Sequence, residues 1–288
     1  MSALALVLVV CAAMLHACWN YLLKTSGGGI GLVTLASGIS TALLTAPALY
    51  IIFYTSYTPQ WSHVGMILGS AIIHSFYSEM LDRMYRAGGD LSVVYPLARA
   101  TGPLLTIIVA CTFFNERMST IAAVGALLIG ISALFLTGDP RKLRDSKAAR
   151  SIKFALITGA LIACYTLWDK QAIAVFLIAP IVFDWGANLM RVCMLMPYAA
   201  KRDPGGMKLA WQNQRRAVLG VAIMGPLGYI LVLYAMQMAP ISYVAPAREL
   251  SILFAALLGT TLLGEKDRKR RLFAACGMVV GFAGLAAG

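Results

Sequence analysis

VVYPLARATGPLLTIIVACTFFNER, Val93 to Arg117, is an apolar run long enough to cross a bilayer. It carries a lone Arg99 and ends on an Asn-Glu-Arg turn. The same plan returns as SYVAPARELSILFAALLGTTLLGEK, Ser242 to Lys266. Arg99 and Arg248 stand 149 residues apart, and so do Glu116 and Glu265. Tyr85 to Arg99 lies over Tyr234 to Arg248 without a gap, and Trp19-Asn20 falls on Trp168-Asp169 at the same shift of 149. Landmarks at one constant offset mark a chain of two tandem halves, each with an intramembrane arginine in the equivalent place.

Composition sets the solvent. With 60% hydrophobic and 12% charged residues, and a mean hydropathy of +0.77, the chain is not a soluble domain. At about 20 apolar residues per helix, the 288 residues and their short gaps allow roughly ten spans. The net charge of +12 follows from basic residues in the gaps between apolar runs, where the positive-inside rule puts them. Those gaps lack the aromatic platforms of a nucleic-acid binder, so nucleic acid is not expected as a partner. The six cysteines lie in apolar runs without a CxxC pair and read as small buried hydrophobes, not as disulfide or metal ligands. The first 23 residues lack a basic n-region and a small-residue cleavage site, so they are read as a helix and not as a signal peptide.

The expected fold is an all-α membrane protein of ten transmembrane helices, near 3–23, 30–53, 64–86, 91–114, 119–137, 152–171, 178–199, 214–236, 241–263 and 270–287. Residues 1–138 form a first five-helix repeat and 152–288 a second, joined by a basic cytoplasmic linker, 139–151. Five spans per half make the repeat inverted. Nineteen Lys and Arg fall on one face of this plan, and only Arg117 and Lys170 on the other. The first face is then cytoplasmic, and both termini lie outside the cytoplasm. Residues 201–216 read as an interfacial loop with Trp211 at headgroup level.

HACWNYLLK at the end of the first helix, YPLARATGPLL, the Asn115-Glu116-Arg117 turn and APARELSILFAALLGTTLLGE, on a doubled five-helix plan, carry a family likeness. The chain resembles an EamA-type member of the drug/metabolite transporter superfamily over essentially its whole length. The resemblance implies movement of small organic metabolites across the cytoplasmic (inner) membrane, often outward, through a cavity lined by helices 1, 3, 4, 6, 8 and 9. It also implies cytoplasmic termini, the reverse of what the charges say.

Ionisable groups at mid-membrane face a polar cavity or a partner. Arg99 and Arg248 each lie about eight residues from the start of their helix or at similar depth, ~12 Å into a core ~30 Å thick. A guanidinium fork suits a carboxylate or phosphonate. The competing reading pairs each arginine with an internal acid, Glu249 or Glu79, as a helix-to-helix tie. Glu79 and Asp82 share a helical face, with Arg83 and Arg86 one turn on. Asp82 and the two arginines read as an interfacial ion-pair ladder, Glu79 as a deeper contact for an amine or a proton, Glu249 as the other candidate for an amine, and Asn20 as a further substrate contact. His16, one turn before Asn20, is either a proton relay or a packing histidine. Trp19 and Trp168 wall the cavity or anchor at the interfaces, and Tyr95 and Tyr243 complete the candidate substrate contacts. Pro96 and Pro246, each within three residues of an arginine, are the expected hinges. Small residues in helices 5 and 10, among them Gly125, Gly130, Gly277, Gly281 and Gly284, suit a scaffold or a homodimer face.

The function expected is a secondary transporter of an amino acid or other anionic or zwitterionic compound, working by alternating access. Its partners are the lipid bilayer and a small-molecule substrate, with proton coupling, if used, falling to His16 or Glu79. A proton-coupled exporter of cationic drugs is the alternative within transport, and a structural membrane subunit the alternative outside it. No G-x-S-x-G elbow, H-E-x-x-H helix or Walker A motif occurs, so neither an enzyme nor a cofactor is expected.

Overall fold

The structure, a computed structural model, describes residues 1–86, 91–137, 148–263 and 268–288. Among them the regular structure is helical: α1 (Ala3–Thr25), α2 (Ile30–Tyr54), α3 (Trp61–Arg86), α4 (Leu91–Phe113), α5 (Thr120–Thr137), α6 (Ala148–Ala174), α7 (Pro180–Arg202), α8 (Gly206–Asn213), α9 (Arg215–Met238), α10 (Ile241–Ala247), α11 (Leu250–Leu263) and α12 (Arg268–Ala287). Among the described residues six helical segments are long and apolar enough to cross a membrane, on α1, α2, α3, α6, α9 and the α10–α11 run. Shorter apolar helices cover Leu97–Phe113, Thr120–Phe135 and Phe273–Ala287. Most of the expected linker, 139–147, and Glu265 lie outside the described residues, and Ala148 already opens α6.

Two of the expected elements differ. The helix expected over 241–263 is broken into α10 and α11. Pro246 has no N–H to give the Ser242 carbonyl. The chain tightens past it, with Glu249 N–H donating to the Pro246 carbonyl, Ser251 to Arg248 and Ile252 to Glu249, all i to i−3 bonds. The gap 201–216 holds a short helix, α8, and Arg215 lies over the Trp211 ring at 5.4 Å. The seventh helix carries Asp184, Asn188 and Arg191 on one face, with Asp184 and Asn188 buried. That stripe faces protein, which explains a helix less apolar than its neighbours.

The halves interlock. α1 packs on α9 and α11, while α6 packs on α3 and α4; α2 packs on α7 and α5 on α12. Exchanging the two sequence halves turns α1–α9 into α6–α3 and α1–α11 into α6–α4, and leaves α2–α7 and α5–α12 as they are. The buried face is largely alanine, and the large aliphatic and aromatic side chains such as Val7, Leu43, Phe53, Leu127 and Val280 point outward. This is the pattern of helices packed in lipid, where close backbone approach matters more than burying large side chains. The α5–α12 seam shows it: a Cβ on Gly281 would stand 2.6 Å from the Gly125 carbonyl oxygen. Gly125, Gly277, Gly281 and Gly284 serve packing between α5 and α12, whereas a Cβ on Gly130 would meet nothing. α1 is integral to the core through buried Ala5, Val9 and Ala12. The cysteines correct the sequence reading: all six are free, Cys11, Cys164, Cys193 and Cys276 are exposed and the other two half-buried, so they line outer faces.

The turn between α9 and α10 is held by charge from both halves. Ile241 and Ser242 N–H donate to Glu116 Oε1 and Oε2, each at 2.9 Å, so the carboxylate of the Asn-Glu-Arg turn caps the positive end of α10. Lys170 Nζ donates to the Met236 and Ala239 carbonyls and closes the negative end of α9. Replacing Glu116 with alanine removes both caps at once and should cost ~1–2 kcal/mol. It is expected to lower the thermal unfolding midpoint in detergent, with Glu116→Gln recovering part of the loss; an unchanged midpoint in Glu116→Ala would contradict the cap.

Candidate functional site

Arg99 on α4 and Glu249 at the α10–α11 break form a buried ion pair. Arg99 Nε donates to Glu249 Oε2 at 3.1 Å and Nη2 to Ser251 Oγ at 2.9 Å, with Arg99 7% and Glu249 5% exposed. Of the two roles open in the sequence, Arg99 takes that of a tie between the halves. The break supplies the geometry, because a tightened turn brings Glu249 and Ser251 onto one guanidinium.

Arg248, the preceding residue, turns to the other side. Its guanidinium carbon lies 5.8 Å from the centroid of the Tyr229 ring, a cation–π contact. Among the described residues no carboxylate stands within ion-pair distance of Arg248. The repeat-related arginines are therefore unequal. The position equivalent to Glu249 in the first half is Ala100, so the pairing acid exists in one half only.

Tyr229 also reaches an acid that sequence reading passed over. Its hydroxyl donates to Asp169 Oδ2, and His74 Nε2 lies 3.2 Å from the same oxygen. The His74 ring stacks on Tyr165 at 4.1 Å and meets Tyr229 edge-on at 5.7 Å. Asp169 is fully buried, and its Oδ1 has no hydrogen-bond partner among the described residues. On α7 a ladder runs beside this group: Arg191 Nη2 donates to Asn188 Oδ1, and Asn188 Nδ2 donates to Asp184 Oδ2 at 2.9 Å. A cleft touched by Arg99, Tyr165, Thr166, Arg248 and Glu249 runs between the ion pair and the aromatic cluster, and it is closed down to water size. The centre is occluded in this conformation.

Other expected residues lie elsewhere. Glu79 is 47% exposed and bonded to Arg83 at 2.8 Å; it belongs to the surface ladder and not to a deep site. The Asp82 and Arg86 side chains, like those of Tyr95 and Pro96, lie outside the described residues, although the backbone of α4 runs through 95 and 96. Trp168 donates its indole N–H to the Met66 carbonyl and its ring fills the space over Gly69, which pins α6 to α3. The Tyr243 hydroxyl accepts from Ser119 N–H at 3.2 Å and faces the Gly288 carbonyl, so it ties helix ends together away from the arginines. On α1, Trp19 meets the His16 ring edge-on at 5.0 Å and Asn20 bonds back to the His16 carbonyl. His16 is within electrostatic reach of Arg99 and Arg248. Pro246 sits beside the helix break, where a hinge would lie.

A signal for Asp169 did exist, since it occupies the repeat position of Asn20. The i, i+4, i+7 spacing of Asp184, Asn188 and Arg191 was equally readable. Nothing in sequence marks Tyr165 or Tyr229 among twelve tyrosines. Among the described residues no group of three His, Cys, Asp or Glu is placed to hold a metal ion.

Comparison with known proteins agrees with this architecture. One solved chain, described only as the crystal structure of a protein, superposes with a TM-score of 0.74 at 15% identity over 98% of this chain and 98% of its own. At that identity the likeness is one of fold. No curated protein matches the sequence. Residues 149–287 match the model of the EamA-like transporter family, and α6 to α12 with the polar residues on them fall in that stretch. This second half is similar to the EamA-like transporter family, and the match supports reading the chain as an EamA-type, multi-pass membrane protein of the drug/metabolite transporter superfamily.

Proposed function

We propose that the chain is a secondary transporter that carries a small anionic or zwitterionic metabolite, such as an amino acid, outward across the inner membrane by alternating access. Ten spans in two inverted five-helix repeats rock about the polar centre, and the break after Pro246 acts as a hinge. The observation that supports this most directly is Arg248. It is a guanidinium at the junction of the halves with an aromatic face but no carboxylate beside it among the described residues. A half-buried cation in that state is suited to a ligand carboxylate, which would complete its hydrogen bonds. Arg99 is already bonded to Glu249 and Ser251 and has the lesser claim.

One observation favours a second reading. Asp169 lies deep among His74, Tyr165 and Tyr229, the kind of setting that takes an organic cation. An exporter of cationic compounds would use the acid, and a carrier of anions the arginine.

Thermal stabilisation of the purified protein by a panel of amino acids, carboxylates and cationic amphiphiles separates them, because a ligand of the native state raises its apparent stability. Amino acids or carboxylates are expected to shift the wild type and to lose at least tenfold in apparent affinity in Arg248→Ala, with Arg248→Lys recovering only part because the fork is lost. Shifts by cationic amphiphiles alone, unchanged in Arg248→Ala, would transfer the function to the second reading. For orientation, nineteen basic residues on one face support termini outside the cytoplasm. A green fluorescent protein fused after Gly288 is expected to stay dark in a bacterial host, and bright cells would reverse the topology.

A further inference from the structure

We propose that Asp169 is the proton-binding site of this carrier, with its carboxylate joined to His74 across the boundary between the halves. The inference rests on the transporter reading and adds the coupling ion to it. Asp169 and Tyr229 lie in the second half of the chain and His74 in the first, so Asp169 Oδ2 joins α6 to α3 beside the Trp168 bond that pins the same two helices. Oδ2 already faces two groups, His74 Nε2 and the Tyr229 hydroxyl. Among the described residues Oδ1 is buried and faces no donor, which leaves one acceptor site able to take a proton. One proton from a hydronium ion forms the O–H bond on Oδ1, a hydronium O–H bond breaks to leave water, and the carboxylate passes from −1 to neutral.

The charged and titratable groups around it are few. α3 presents His74, α6 presents Tyr165 and Cys164, and α9 presents Tyr229. α7 brings Asp184 and Arg191 within electrostatic reach. At the α10–α11 break Arg248 lies across the Tyr229 ring, and Arg99 on α4 is held by Glu249. Neutralising Asp169 weakens its hold on His74, which links proton binding to the packing of α6 on α3.

The test needs no substrate, so it stands or falls apart from the ligand panel. Infrared difference spectra of the full chain in lipid nanodiscs are recorded between acid and alkaline buffer, with the proton itself as probe. The wild type is expected to show the C=O stretch of a buried carboxylic acid on acidification, and Asp169→Asn to lack it. Tyr229→Phe and His74→Leu are expected to keep the band and move it to higher frequency, because the carbonyl loses a hydrogen-bond donor. These two variants decide the matter if Asp169→Asn does not fold. Absence of the band in wild type, its persistence in Asp169→Asn, or an unmoved band in both other variants would overturn the proposal.

Discussion

A guanidinium and a carboxylate buried together between two half-proteins constrain everything around them. Charges at membrane depth are tolerated only when paired or facing a polar cavity, and Arg99 meets that condition through Glu249 and Ser251. To offer both groups to one arginine the helix carrying them has to break, and Pro246 lets it do so. The break in turn sends the adjacent Arg248 to the opposite side, against Tyr229. One acid without a counterpart in the first half therefore converts a symmetric pair of arginines into a tie and an available cation.

The remaining fold is what lipid permits. Between helices in a bilayer there is little to gain from burying leucine, so contact comes from close backbones and hydrogen bonds. The α5–α12 seam uses glycines for the first, and Ser40, whose hydroxyl donates to the Ala222 carbonyl at 2.7 Å, is an instance of the second. Such seams leave the polar centre as the place where the halves meet through side chains that can change partners. A cleft closed down to water size lies at that place.

The helices were legible because apolar runs and gaps are a one-dimensional signal, and the constant offset of 149 related them in pairs. The break at Arg248 was half legible, since Pro246 marks the position but a proline can also be absorbed in a membrane helix, as Pro226 is in α9. Which arginine would be paired was not legible, because spacing says that Arg248 and Glu249 diverge and not which of them meets α4. Glu79 differed for a related reason: spacing along a helix does not say which side a residue faces, and Glu79 turns to Arg83 at an exposed position. Asp169 sat next to Lys170 in what reads as a helix end, yet α6 continues to Ala174. There Lys170 caps the neighbouring helix and Asp169 stays buried.

The unequal arginines are the claim on which the functional account turns, and a double-mutant cycle addresses them directly. Thermal or denaturant unfolding would be followed for Arg99→Met, Glu249→Met and the pair together, with Arg248→Met as the reference. Removing one member of a buried pair costs ~3–5 kcal/mol because the other charge is stranded. The account predicts that the double variant is far more stable than the sum of the single losses implies, and that Arg248→Met shows no such coupling to Glu249→Met. Additive losses for Arg99 and Glu249, or strong coupling between Arg248 and Glu249, would contradict it.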